Sequence, residues 1–241
     1  VNPSGLVPVL VHQGSPIYES DDILLYLETL TDKPSITPPG EAGKKMREWI
    51  EFCSISSHDP MAMMHHRAGA CVPALTIPIF ATMISEVNIR HICTGFLFHP
   101  EKIRPLFFMS AKLLGLNGIL KVGPAGGMIG RGRDAMLGHM ETINTALKEA
   151  EGPWILGGHF SLADISLASI YLRLDETGWL DWFMGQSDFE AIAAHYAHLR
   201  ARPSWQSAIE DRELDIVKKG RRRLSTLIKN STFIRRKLYG P

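Results

Sequence analysis

The chain has 241 residues, of which 45% are hydrophobic and 21% charged, and its formal net charge is +1. That length is enough to bury a sizeable core and fits one or two domains, no more. The near-neutral total hides an asymmetry. After Asp215 there are nine basic residues and no acidic one, which leaves 17 basic against 25 acidic residues in the rest of the chain.

The sequence opens on Val1 without a basic-then-apolar leader, so it reads as a stretch beginning inside a longer polypeptide rather than as a secreted precursor. Cys53, Cys71 and Cys93 are an odd set without ligand-like spacing, as in a reduced, cytoplasmic protein, and are expected to be packing residues. The most apolar run, Ala70 to Ile84, contains Pro73 and Pro78 and falls short of the ~20 residues that span a bilayer, so no transmembrane helix is expected.

In chain order, Leu6 to Val11 and Pro16 to Tyr18 read as two short strands around a glycine-containing turn. Pro8 cannot donate to a ladder, so it belongs at an edge. From Ser20 the period becomes helical, with Ile23, Leu27 and Leu30 on one face and Asp21 and Asp22 in the first turn. Residues 34–41, rich in proline, read as a linker between a small first domain (1–33) and a helical second one (42–215).

Helices are expected over Lys44 to Ser57, Asp134 to Glu149 and Ser161 to Leu174. Between them, about 71–133, an apolar insertion punctuated by proline and glycine should hold several short helices. Within it, Gly130 to Ala135 fits GxGxxA, but without a preceding strand it reads as a mobile loop. Ser161 and Asp164 have the spacing of a capping box, with Phe160 and Ile165 placed as a hydrophobic staple. Residues 216–241 form a basic tail whose apolar residues (Leu224, Leu227, Ile228, Ile234 and Leu238) fall near one helical face. Such a segment can fray into solvent, lie on an anionic membrane or bind nucleic acid.

One junction carries chemistry. Glu19-Ser20 stands where strand gives way to helix, and a helix N-terminus suits a carboxylate. Ser20 adds a hydroxyl and Glu19 can pair with an ammonium, so together they could hold the amino-acid end of a small zwitterion; the plainer reading is that Ser20 caps the helix. His58, His65 and His66 with Asp59 do not have metal-site spacing, and no metal is expected.

The stretch from Val1 to Glu28, with Val7-Pro8-Val9-Leu10, Gly14 and Glu19-Ser20, resembles the glutathione-site half of the thioredoxin-like domain of the glutathione transferases. The stretch Gly152 to Leu174 resembles the signature of the same family's all-helical domain, and Ala201 to Trp205 resembles its closing helix. The resemblance implies a mainly α chain, an all-helical C-terminal domain preceded by the β-β-α half of a thioredoxin-like domain. It implies a cis Val7–Pro8 bond, with Val7 and Pro8 at the cysteinyl part of glutathione and Glu19 and Ser20 at its γ-glutamyl end. Leu6 replaces a polar residue common in the family, at the cost of one contact. The thiol-activating residue is expected upstream of Val1, so no catalytic residue can be named within the chain. A hydrophobic electrophile would lie against the helical domain, with His58, Met61 and His65 as candidate neighbours, though plain core packing explains the methionine equally. Glutathione would be a co-substrate and the assembly a homodimer, with no role for nucleic acid. The insertion also resembles the bacterial β-etherase branch, which cleaves aryl ethers. The alternative is a non-catalytic binding protein of the same fold, held on a membrane by its tail.

Overall fold

The computed structural model describes residues 7–32, 35–55, 59–99 and 102–240. Two strands, β1 (Val9–His12) and β2 (Ser15–Tyr18), form an antiparallel ribbon with Val9 opposite Tyr18 and His12 opposite Ser15. The two residues between them, Gln13 and Gly14, both have positive φ (49° and 81°), which matches the right-handed twist of a two-residue hairpin. Helix α1 (Ser20–Glu28) returns beside the ribbon. Tyr26 joins them through its hydroxyl, 2.7 Å from His12 Nδ1.

Residues 35–37 are tied back to α1. One oxygen of Glu28 accepts from Ser35 Oγ (2.7 Å), Ile36 N (3.0 Å) and Thr37 Oγ1 (3.2 Å), holding α1 to the start of α2. Helix α2 runs over Gly40–Cys53, four residues ahead of the expected start, because extended Pro39 already supplies its N-terminal boundary. Met46, Ile50 and Cys53 turn inward along it. A single turn, α3 (Pro60–Met63), is capped by Asp59, whose carboxylate accepts from Met61 N and Ala62 N.

The region expected as several short helices contains two long ones and a short one. Helix α4 (Ala68–Met83) is buried over most of its surface, α5 (Ile89–Phe98) is short, and α6 (Ile103–Val122) turns at Gly115, whose φ is 64°. The prolines do not interrupt α4. Thr76 Oγ1 donates to the carbonyls of Val72 and Pro73, and Trp179 Nε1 donates to Leu75 O (2.9 Å) beside the ladder that Pro78 breaks. The helical span Ala68–Glu86, which continues α4 by one turn, and α6 are each long and apolar enough to cross a membrane by composition, but the first lies mostly inside the fold whereas α6 is mostly exposed.

Helix α7 (Ala125–Glu149) continues straight through the GxGxxA stretch, so the expected loop is the first half of a long helix. Gly132 explains why. A Cβ there would stand 3.0 Å from Ala74 Cβ and 3.4 Å from Cys71 O, so glycine permits α4 and α7 to approach closely. Helix α8 (Leu162–Glu176) follows its capping box and packs against α2. Short α9 (Trp179–Met184), α10 (Glu190–Arg200) and α11 (Pro203–Ala208) complete the body, with Trp205 buried edge-on to Tyr196.

The basic tail is neither frayed nor detached. It forms α12 (Asp215–Asn230), laid along α4, and α13 (Thr232–Tyr239), which contacts α6 and α7. Leu224, Ile234 and Leu238 are buried, and Leu227 and Ile228 are half-buried against the core. Tyr239 stacks on Trp182 and meets Trp179 edge-on. The tail's apolar face is thus spent on the fold, leaving its cations outward. Cys53 and Cys71 are buried, whereas Cys93 is exposed on α5 and is not the packing residue expected.

Candidate functional site

The antiparallel ladder ends at Val9 and Tyr18. Beyond that end, one strand leads back to Pro8 and Val7 and the other forward to Glu19 and Ser20, so the hairpin brings all four sequence-predicted residues to the same end. The Val7–Pro8 bond is cis, and Val7 is 88% exposed.

Glu19 has φ 60° and ψ 133°, a conformation that a residue with a Cβ rarely adopts. It occupies the N-cap of α1, and its side chain makes no capping bond. Ser20 is the first helical residue rather than the cap, which corrects the plainer sequence reading. Its Oγ instead donates to Asp21 Oδ1 at 3.3 Å, on the exposed surface. The first i-to-i−4 bond is Ile23 N to Glu19 O (3.1 Å), so the amides of Ser20, Asp21 and Asp22 precede it and lie at the positive end of the helix dipole. Glu19 supplies negative charge and an acceptor beside those donors. This arrangement can hold an ammonium and a carboxylate on one ligand. Asp21 and Asp22 oppose a second carboxylate electrostatically, so binding must rely on direct hydrogen bonds to outweigh them.

Next to Asp21 an open crevice separates α1 from α2, lined by Asp21, Leu25, Arg47, Ile50 and Glu51. The sequence reading did not single out Arg47. It lies one residue beyond Met46 of the inward stripe, the position from which a long side chain reaches the rim of a helix–helix groove.

Of the three acceptor-site candidates, Met61 and His65 are among the described residues. His58 lies outside the described residues. Met61 is half-buried in α3, which packs on α4, and His65 is exposed in the turn after it. Neighbouring Met64 is buried, and its carbonyl accepts from His139 Nε2 at 2.7 Å. Burial lowers the His139 pKa below the usual imidazole value, despite that hydrogen bond, and the ring meets Phe52 edge-on. His139 was missed in the sequence, although its place on the Met136–Met140–Ile143 face of α7 was the available signal.

Ser161 and Asp164 serve the fold. Asp164 Oδ2 accepts from Ser161 N (2.8 Å) and Ser161 Oγ (3.0 Å), and Asp164 Oδ1 accepts from Ile155 N (2.9 Å). The predicted staple partner Phe160 meets Trp154 edge-on and carries the Arg202 guanidinium 3.6 Å above its ring. None of the buried cysteines offers a thiolate. Burial pushes the Cys71 thiol up to about 12 and the Cys53 thiol higher still.

Comparison with known proteins matches the glutathione S-transferase N-terminal domain to residues 1–30 and the glutathione S-transferase C-terminal domain to residues 129–198. Among solved structures, the beta-etherase LigF from Sphingobium sp. strain SYK-6 is 19% identical with a TM-score of 0.65, over 87% of this chain and 80% of that one. Gtt2 from Saccharomyces cerevisiae is 21% identical with a TM-score of 0.48, over 86% and 76%. No curated protein matches the chain. The two domain matches fall in order on a β-β-α unit followed by helices, and they support a place for the chain in the glutathione S-transferase superfamily.

Proposed function

We propose that this protein is a glutathione-dependent transferase whose glutathione site is the junction of β2 and α1. The observation that carries this reading is Glu19, held at φ 60° and ψ 133° at an N-cap where its side chain makes no capping bond. Local strain of this kind costs on the order of 1–3 kcal/mol, and a fold keeps it where the conformation serves a purpose. Here it sets a carboxylate beside the first-turn amides of α1. In this reading Glu19 takes the γ-glutamyl ammonium, Ser20 and the first-turn amides take its carboxylate, and the exposed backbone at Val7 takes the cysteinyl portion.

In the reaction, the glutathione thiolate attacks an electrophilic carbon. A carbon–sulfur bond forms as the bond to the leaving group breaks; a halide departs as the anion, and a phenoxide takes up a proton from solvent. The acceptor would lie in the α1–α2 crevice, where Leu25 and Ile50 offer apolar surface and Arg47 a cation for a departing phenoxide or halide. The likeness in fold to a beta-etherase makes aryl ethers the first acceptors to try.

The test is a product assay with full-length protein, glutathione and two acceptors, an aryl halide and a β-aryl ether, read by mass spectrometry. A glutathione thioether formed faster than in buffer is expected, with Arg47→Ala lowering its rate. No thioether from either acceptor, alongside intact glutathione binding, would move the reading to a binding protein of the same fold.

A further inference from the structure

The helices of the insertion leave large apolar side chains in solvent. Leu97 and Phe98, at the end of α5, are 75% and 80% exposed, and Ile103, Leu106 and Leu113, on α6, are 74%, 56% and 68% exposed. On α6 these residues and Leu114 share an arc of about 100° at 3.6 residues per turn, opposite buried Pro105 and Ala111. The ends of the two helices adjoin, because Lys102 Nζ donates to Phe96 O at 2.7 Å. The patch is therefore one surface and larger than scattered exposure explains.

Charge says what covers it. Residues 87–133 contain seven basic residues and one acidic residue, Glu101. The tail helices, with nine basic residues and a single acidic one, Asp215, dock on α4, α6 and α7. Lys112 Nζ on α6 and Arg223 Nη1 on α12 both reach Ser85, each at 2.6 Å, and Lys121 stands over Phe233 of α13. These two segments hold 16 of the chain's 26 basic residues and two of its 25 acidic ones. Arg222, Lys229, Arg235 and Arg236 are exposed.

The geometry points to an anionic phospholipid surface as the partner of the α5–α6 face, with α12 and α13 supplying the cationic flank. Leu97, Phe98, Ile103 and Leu106 enter the headgroup–acyl boundary while the flanking cations meet lipid phosphates. A second copy fits the same face poorly, because two-fold pairing sets like charges against each other. This inference does not depend on the glutathione site.

Vesicle flotation tests it, using phosphatidylcholine vesicles with and without phosphatidylglycerol. The protein is expected to float with the anionic vesicles and to be released as salt rises. The exposed pair Leu97→Asp with Phe98→Asp should lower partitioning at least about tenfold, and Arg222→Glu with Arg236→Glu should do the same. Both variants should keep the parent's melting temperature and glutathione affinity. Equal flotation of parent and variants would overturn the assignment. So would a parent that ignores both vesicles but sediments as a dimer that Leu97→Asp with Phe98→Asp splits, which gives the face to a second copy.

Discussion

His195 Nε2 donates to Asp164 Oδ1 at 2.9 Å between side chains that are 1% and 0% exposed. With that nitrogen committed to the carboxylate, Nδ1 faces the Tyr171 hydroxyl at 3.4 Å. Burial raises the Tyr171 pKa well above the usual phenol value, so the hydroxyl keeps its proton. Asp164 thus gathers the cap of α8, the Ile155 amide and α10 at one buried point. Asp164→Ala strips a partner from four donors in the interior and should cost about 3–5 kcal/mol. Ser161→Ala should cost about 1 kcal/mol. Urea melts of the two variants check the ranking, and equal losses would show that the His195 contact adds nothing.

The two glycines of the GxGxxA stretch should respond with opposite signs. A Cβ at Gly130 meets nothing within 4 Å, so Gly130→Ala should stabilise α7 by about 0.5–1 kcal/mol. At Gly132 the added atoms must part α7 from Ala74 and Cys71, and Gly132→Val should cost about 1–3 kcal/mol. Thermal unfolding of both variants decides it; a neutral Gly132→Val would mean that α4 and α7 are not closely packed.

Stability should fall as pH is lowered through the histidine range, in part through His139. Burial sets its folded pKa below the ordinary value of 6.5. The unfolded state therefore binds the proton first, and the contribution present above that value is lost toward the folded pKa. His139→Gln keeps a donor for Met64 O without the titration, so its stability should depend less on pH. Parallel denaturant melts of parent and variant across that range report the difference, and superimposable pH profiles would exclude His139.

The tail should behave as part of the core. Gly220 lets α12 approach α4 so closely that a Cβ would stand 2.5 Å from Met83 Cγ. Thr82 Oγ1 also donates to Gly220 O at 3.1 Å. Gly220→Leu should lower the melting temperature by several degrees through overpacking of about 1–3 kcal/mol. An unchanged melt would mean that the tail is dispensable to the fold.

The sequence made the ends of the fold legible. Two short extended runs around a glycine turn, then a helical stripe from Ser20, led to the hairpin and α1, and the Ser161–Asp164 spacing led to α8. The middle misled for physical reasons. Pro73 and Pro78 argue against a helix locally, but burial on nearly every side of α4 and the bonds of Thr76 and Trp179 outweigh them. Gly130 to Ala135 read as a loop because the use of Gly132, close approach to α4, is a tertiary fact. The same holds for the site. Glu19 and Ser20 could be named from their position at a strand–helix junction, but the strain at Glu19 and the crevice at Arg47 exist only once the helices are assembled.

The most direct test of the central claim is calorimetric titration of glutathione into the full-length protein and into the Glu19→Ala, Ser20→Ala double variant. The account predicts saturable binding by the parent, weakened at least about tenfold in the variant through loss of charge-assisted contacts, with both melting alike. Unweakened binding by the variant would place glutathione elsewhere on the molecule, and no binding by the parent would contradict the account itself.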